Sequence, residues 1–337
     1  MSKRKISRKQ AWRADKIQQE RINRAQKKEN TEKQVLKNQT LGIEETGLVI
    51  AGYGAQLIIE DQKQQQTPCT WRQNLGAIVV GDQVIWQRID EAQGVISAIL
   101  PRESLLERPN FHGKTKPVAA NIHQIFIVCS PVPALQLALI DRYLVAVELT
   151  DIKPIIVVNK IDLLSKDELN ALKQQMQTYS DVGYDVLYVS SNTRNGLRSL
   201  ELALENNFSI LVGQSGVGKS STIKALLPDI DIQIGEISTI SKLGKHTTSA
   251  SRLYHLAHGG AIIDSPGVRD FGLWHLEKES IALGFTEFSP YLGKCKFSNC
   301  SHITEPSCAI LDALKENKIA RARWQNYVNI YNSLNNP

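Results

Sequence analysis

The sequence predicts a multidomain chain with a small N-terminal β-barrel of the OB type, a central doubly wound α/β domain of the P-loop class, and a C-terminal zinc-binding helical module. Three observations carry this. Short strand-like runs separated by turn signals fill residues 46–106. Beyond residue 117 apolar runs alternate with helical periodicity, and a glycine-rich turn stands at 213–221. Near the C-terminus, three of the five cysteines lie within 14 residues of one another.

Charge separates the first segment from the rest. Residues 1–40 hold thirteen Lys or Arg against four acids, a net charge of +9 in a chain whose total is +6. This Gln-rich arm cannot bury enough apolar surface to fold alone, so it is either a nucleic-acid tail that orders on a polyanion or a solubilising tail. No run approaches ~18 apolar residues and the N-terminus has no apolar signal core, so neither a membrane span nor secretion is expected and the reading is cytoplasmic. Cys69 and Cys129 are isolated in apolar surroundings and read as buried, reduced thiols.

In the second segment the expected strands are 47–50, 55–59, 76–80, 82–86 and 94–99, five in some 60 residues, as in an OB fold. Trp71, Arg72 and Arg88 are candidates for an RNA-facing surface, with Trp71 equally suited to the core. A linker rich in proline and basic residues is expected at 108–117. The expected division is 1–44 for the arm, 45–108 for the barrel, 109–276 for the α/β domain and 277–337 for the zinc module.

In the third segment, strands are expected at 124–129, 154–158, 185–189 and 208–212, with helices near 134–148, 166–179 and 197–204. Ligands of such sheets bind beyond the carboxyl ends of the strands. The run Gly213-Gln214-Ser215-Gly216-Val217-Gly218-Lys219-Ser220-Ser221 sits at such an end and fits a phosphate-binding P-loop. Gly213 and Gly218 let successive N–H groups point into one concavity at a helix start. Lys219 would reach the β- and γ-phosphates and Ser220 would ligate Mg²⁺.

Asn159-Lys160-Ile161-Asp162 follows another expected strand and suits guanine. The Asp162 carboxylate can accept two hydrogen bonds from the ring N–H and the exocyclic amine. Asn159 would hold the base edge or brace the P-loop, and the Lys160 stem would cover one ring face. Ser190 and Ser191, followed by Asn192, either supply backbone contacts to the base or form an ordinary turn. Asp264-Ser265-Pro266-Gly267 follows an apolar run, so that Asp264 would hold Mg²⁺ through a water and the Gly267 N–H would sense the γ-phosphate. In the loop 244–249, Thr247 or Thr248 can bind Mg²⁺ and close over the γ-phosphate. Val268 stands where many GTPases have a water-orienting Gln. His246 is the candidate replacement, the alternative being that it only packs or caps the loop.

Cys295-x4-Cys300-x-His302-x5-Cys308 supplies three thiolates and an imidazole, a full tetrahedral set with no open position, so one structural zinc ion is expected. Residues 309–334 read as one or two helices, with Lys315, Lys318, Arg321 and Arg323 exposed.

The guanine motif precedes the P-loop, the reverse of the usual order, which a circular permutation explains. This order, the stretch from His246 to Leu253, the Cys/Cys/His/Cys set and the preceding barrel together closely resemble the circularly permuted small-ribosomal-subunit biogenesis GTPases, the RsgA or YjeQ family. The resemblance runs from about Thr46 to the C-terminus. It implies a late-acting assembly factor, monomeric and without a membrane partner. Such a factor binds the small ribosomal subunit and its rRNA, hydrolyses GTP to GDP with Mg²⁺ when the subunit stimulates it, and leaves. Lys219, Thr248 and His246 would then be the catalytic set. Two other readings start from the same residues: a P-loop enzyme acting on a small molecule, against which Asn159 and Asp162 speak, and a non-hydrolysing RNA-binding module, against which Lys219, Ser220 and Asp264 speak.

Overall fold

The computed structural model describes residues 42–53, 56–71, 75–109, 115–150, 152–228, 251–265 and 277–334. The basic arm, Arg72, the segment holding His246, Thr247 and Thr248, and the pair Gly267 and Val268 lie outside the described residues.

Five strands make the barrel: β1 (Glu44–Tyr53), β2 (Gln56–Glu60), β3 (Gln66–Trp71), β4 (Gln83–Arg88) and β5 (Gly94–Ile99). Their order is β1-β2-β3-β5-β4, and a β1–β4 pairing closes the ring. Alternate residues point inward, as the period of two requires, and Val49, Leu57, Ile59, Cys69, Val84, Trp86 and Ile96 form the core. The expected strand at 76–80 is not one, and the third strand is instead β3. Pro68 lacks an N–H to give to a ladder, and the strand tolerates it because its second neighbour, β5, begins pairing only at Cys69. Residues 76–80 are held as a loop by side chains. The buried Asp82 carboxylate accepts from the Val79 N–H at 2.8 Å and from Arg102 at 2.6 and 2.8 Å, while Arg102 also donates to the Ala77 carbonyl. Arg88, a candidate for RNA, is engaged within the barrel by Asp61 and Thr67 and lies over the Trp86 ring. Trp71 packs against the barrel core.

The expected linker is a hairpin, β6 (Leu105–Pro109) and β7 (Thr115–Ala120). Its prolines and charges disguised an inward pair of apolar stretches: Leu106, Val118 and Ala119 are buried. A boundary at residue 108 would cut this hairpin within β6.

The α/β sheet contains β8 (Gln124–Cys129), β9 (Lys153–Val158), β10 (Asp185–Tyr188), β11 (Phe208–Val212), β12 (Ser251–His255) and β13 (Ala261–Asp264), in the order β10-β9-β8-β11-β13-β12. All neighbours are parallel except β12 and β13. Every residue of β8 is buried because both faces are covered. Ile125 and Ile127 meet α1 (Leu137–Glu148) and α2 (Lys166–Asp181) on one face. Phe126 and Val128 meet α3 (Leu197–Leu204) and α4 (Lys219–Leu226) on the other. Ser165 and Glu168 close a capping box that fixes the start of α2.

β1 continues past the barrel, and Ala51 and Gly52 pair with Arg252 and Ser251 of β12, so the two domains share one 11-stranded sheet. Across the same junction the His255 imidazole Nε2 lies 2.5 Å from a Glu60 carboxylate oxygen.

The C-terminal module comprises α5 (Lys278–Ile281), α6 (Ala309–Lys315) and α7 (Arg321–Ser333). Phe285 and Phe288 stack at 5.1 Å between centroids and Tyr327 meets both edge-on. Arg323, expected at the surface, is 1% exposed. Its guanidinium donates to Glu287 at 2.7 and 3.0 Å and to Asp141 of α1, and it lies over the rings of Phe285, Tyr179 and Tyr184. Helical spacing explains the burial, since residues 323, 327 and 330 share the inward face of α7. Among the described residues, no helix is long and apolar enough to cross a membrane.

Candidate nucleotide and metal sites

The glycine-rich turn lies between β11 and α4, at the carboxyl edge of the parallel strands. Gly213 has φ +139° and Gly218 has φ +96°, values that L side chains rarely adopt. Both are also hemmed in: a Cβ on Gly213 would stand 2.1 Å from the Val128 carbonyl oxygen, and one on Gly218 would stand 2.3 Å from Asn159 Nδ2. The Lys219 ammonium folds back over the turn and donates to the Gly213 and Gln214 carbonyls at 2.6 and 2.8 Å. A cation and a helix start thus face one concavity, which suits a phosphate.

Asn159 and Asp162 follow β9 at the same edge. Asn159 is buried, and its Nδ2 donates to the Val217 carbonyl at 3.0 Å, so it braces the P-loop. Its Oδ1 accepts from the Ser191 N–H at 3.1 Å and the Ser191 hydroxyl at 3.0 Å. Lys160, in the left-handed region at φ 61°, extends across to the Val132 and Gly216 carbonyls at 2.7 and 2.6 Å. Asp162 is exposed, and the Ser190 hydroxyl donates to its Oδ1 at 2.6 Å while Asn192 Nδ2 reaches Oδ2 at 3.4 Å. The Ser190 bond is the main reason its carboxyl sits below the usual range, which leaves an anionic acceptor at neutral pH. The N–H groups of Ser190 and Ser191 are already given to Asn195 O and Asn159 Oδ1. These two serines therefore reach the site through Asp162 and Asn159.

Asn159, Lys160, Asp162, Ser191, Gly218, Ser221 and Lys224 are among the residues lining a cleft of about 520 Å³, a size ordinary for small-ligand sites. Asp264 ends β13, the parallel neighbour of β11, so it emerges at the same edge as Ser220. Ser265 beside it is buried, with its hydroxyl 2.8 Å from that of Ser251 on β12. Thr222, one turn into α4 and fully buried, was not a candidate. Its signal was a lone hydroxyl beside Ile223 on the inward side of that helix.

The second site gathers Cys295, Cys300, His302 and Cys308, whose ligand atoms all lie within 4.8 Å of one another. His302 Nδ1 is 3.5 Å from Cys295 Sγ and 3.4 Å from Cys308 Sγ, and those two sulfurs are 3.8 Å apart. A tetrahedral zinc ion with ordinary bond lengths needs edges of about 3.8 Å between sulfurs and about 3.6 Å between sulfur and nitrogen, so these residues fit it. Burial pushes the Cys300 thiol up to about 12, raises Cys308, and lowers His302. Cys300 and Cys308 thus hold their protons and His302 is uncharged at neutral pH, and a divalent cation would have to displace those thiol protons. Outer bonds hold the loop: Glu305 accepts from the Ser301, Ile303 and Thr304 N–H groups and the Ser301 hydroxyl, Trp324 Nε1 donates to His302 O, and Tyr327 donates to Ser301 O.

A family model described as RsgA GTPase matches residues 99–274. The small ribosomal subunit biogenesis GTPase RsgA of Ectopseudomonas mendocina (strain ymp) is 45% identical over 338 residues, spanning 99% of this chain and 98% of its own. The protein of that name from Hahella chejuensis (strain KCTC 2396) is also 45% identical, over 99% and 97%. Among solved structures, YjeQ from Thermotoga maritima superposes with a TM-score of 0.74 at 29% identity, covering 88% of this chain and 100% of that one. YloQ, described as a circularly permuted GTPase, gives 0.67 at 26% identity over 87% and 96%.

Proposed function

The chain belongs to the RsgA GTPase family, and on that premise we propose that it is a guanine-specific GTPase that assists the assembly of the small ribosomal subunit. The observation that supports this best is the meeting, at one sheet edge, of the glycine turn at 213–221 and the Asp162 carboxylate, which is held by the hydroxyl of Ser190, 28 residues further along the chain. In this reading the N–H groups of residues 213–221 and the Lys219 ammonium hold the phosphates. Lys219 exchanges its present carbonyl partners for the anion. Asp162 reads the guanine N–H groups, Lys160 covers one ring face, and Asn159 keeps the base-reading loop at a fixed distance from the P-loop.

Ser220 and Asp264 would hold Mg²⁺, which when bound neutralises charge developing on the phosphates. Thr247, Thr248 and Gly267 would close over the γ-phosphate, and His246 would orient the attacking water in place of the side chain that Val268 lacks. Cys295, Cys300, His302 and Cys308 would hold one structural zinc ion. The partners are the small subunit with its rRNA, contacted by the barrel, the zinc module and the basic arm of a cytoplasmic monomer. The arm, barrel, α/β domain and zinc module form successive units, with the β6–β7 hairpin at the barrel junction.

Asp162→Asn tests the base assignment. The amide loses one acceptor position and gains a donor that suits the carbonyl of xanthine, so GTP affinity should fall at least about tenfold while xanthosine triphosphate affinity rises. Titration of both nucleotides reads the outcome, and unchanged GTP affinity would remove Asp162 from the site.

A further inference from the structure

We propose that Ser191 and Thr222 form a hydroxyl bridge that sets the spacing between the base-reading loop and the phosphate-binding helix, which makes both residues positioning residues for nucleotide affinity. The inference rests on the placement of the base at Asp162. Ser191 follows β10 and Thr222 lies in α4, 31 residues further along the chain, yet their hydroxyl oxygens are 2.8 Å apart. Thr222 is fully buried and Ser191 is half-buried at the cleft wall, so water reaches the contact from the Ser191 side alone.

Proton counting gives two arrangements in which the bridge forms. Each hydroxyl has one proton, and two further acceptors are in range: Asn159 Oδ1 at 3.0 Å from Ser191 Oγ, and the Gly218 carbonyl at 2.9 Å from Thr222 Oγ1. If Ser191 donates to Asn159, Thr222 must donate to Ser191. If Thr222 donates to Gly218, Ser191 must donate to Thr222. The acceptor that is given up is not stranded, because Asn159 Oδ1 keeps the Ser191 N–H and the Gly218 carbonyl keeps the Thr222 N–H at 2.8 Å. The remaining arrangement, with both protons given to those acceptors, sets oxygen lone pairs against each other at 2.8 Å and is disfavoured, so the Ser191–Thr222 bond is common to the two favoured states.

The consequence is a second tie beside Asn159→Val217. Asn159 links the end of β9 to the P-loop, and the bridge links the end of β10 to the first turn of α4. Guanine and phosphates belong to one ligand, so the two half-sites must stand at the right separation before it arrives. Spacing fixed in advance reduces the ordering that binding would otherwise have to impose.

The test measures GDP affinity and the melting temperature of the nucleotide-free protein for Ser191→Ala, Thr222→Val, the double variant and Thr222→Ser. Loss of one part-buried hydrogen bond corresponds to about fivefold in an equilibrium constant, which bounds the preorganisation it supplies, so each of the first two should bind GDP more weakly by up to about fivefold. The double variant should be little worse than either, because both remove the same bridge. Thr222→Ser should keep parental affinity. Parental GDP affinity in Ser191→Ala or Thr222→Val would overturn the proposal, as would single losses that multiply in the double variant or a lowered melting temperature with affinity unchanged. If Thr222→Val does not fold, Ser191→Ala with Thr222→Ser decides alone. Asp162→Asn is measured in parallel: unchanged GDP affinity there refutes the base assignment, whereas a loss there with none at the hydroxyls refutes only the bridge.

Discussion

Gly218 ties the phosphate turn to the guanine motif at the scale of single atoms. With φ at +96° and Asn159 Nδ2 only 2.3 Å from the place of a Cβ, alanine there meets both backbone strain and a clash with the brace. The left-handed conformation alone costs an L residue about 1–2 kcal/mol, so Gly218→Ala should weaken GDP binding by about tenfold or more. Fluorescent-nucleotide titration checks this, and parental affinity would mean that the turn adopts another conformation when loaded. The P-loop residues were legible because phosphate recognition is done by backbone, which leaves glycines at fixed spacing. The role of Asn159 was legible only as a choice between base edge and brace. What decides it is Val217, 58 residues away, and nothing local to the motif reports that contact. Thr222 and the side-chain roles of Ser190 and Ser191 escaped for the same reason.

The zinc loop shows how an element depends on its outer bonds. The Glu305 carboxyl is opposed by desolvation, yet the Ser301 hydroxyl and the surrounding N–H groups hold it down to about 2, below its ordinary 4.5. A depressed carboxyl contributes stability above about pH 4.5 and loses it as pH falls toward about 2. Glu305→Gln cannot accept through both side-chain atoms, so the module should lose about 1–2 kcal/mol at pH 7, and its difference from the parent should shrink across that acid window. Chemical denaturation followed by Trp324 fluorescence reads both, and a pH-independent difference would contradict the role given to Glu305. The grouping of Cys295, Cys300, His302 and Cys308 was legible from spacing because few other uses fit such cysteine density. β3 was not, since Pro68 argues against a strand unless it is known that the second neighbour, β5, pairs only from Cys69 onward. The burial of Arg323 was concealed by its charge, although its spacing from Tyr327 and Ile330 placed it on the inward face of α7.

At the scale of the whole molecule, β12 pairs with β13 on one side and β1 on the other, so the sheet that carries Asp264 is continuous with the barrel. The segment holding His246, Thr247 and Thr248 immediately precedes β12 in sequence, next to the barrel contact. The permuted motif order was readable from the sequence, because every ligand group still falls just after an apolar run. The shared sheet was not, since a two-residue pairing between segments some 200 residues apart leaves no periodic mark. The central claim is that this chain is a GTPase switched on by the small ribosomal subunit. The most direct measurement is the rate of phosphate release from GTP, and from ATP as a control, by the full chain with and without purified small subunits. Slow hydrolysis of GTP alone is expected, with a rise of at least about tenfold when subunits are added and no comparable rise with ATP. An unchanged rate in the presence of subunits, or equal stimulation of ATP hydrolysis, would contradict it.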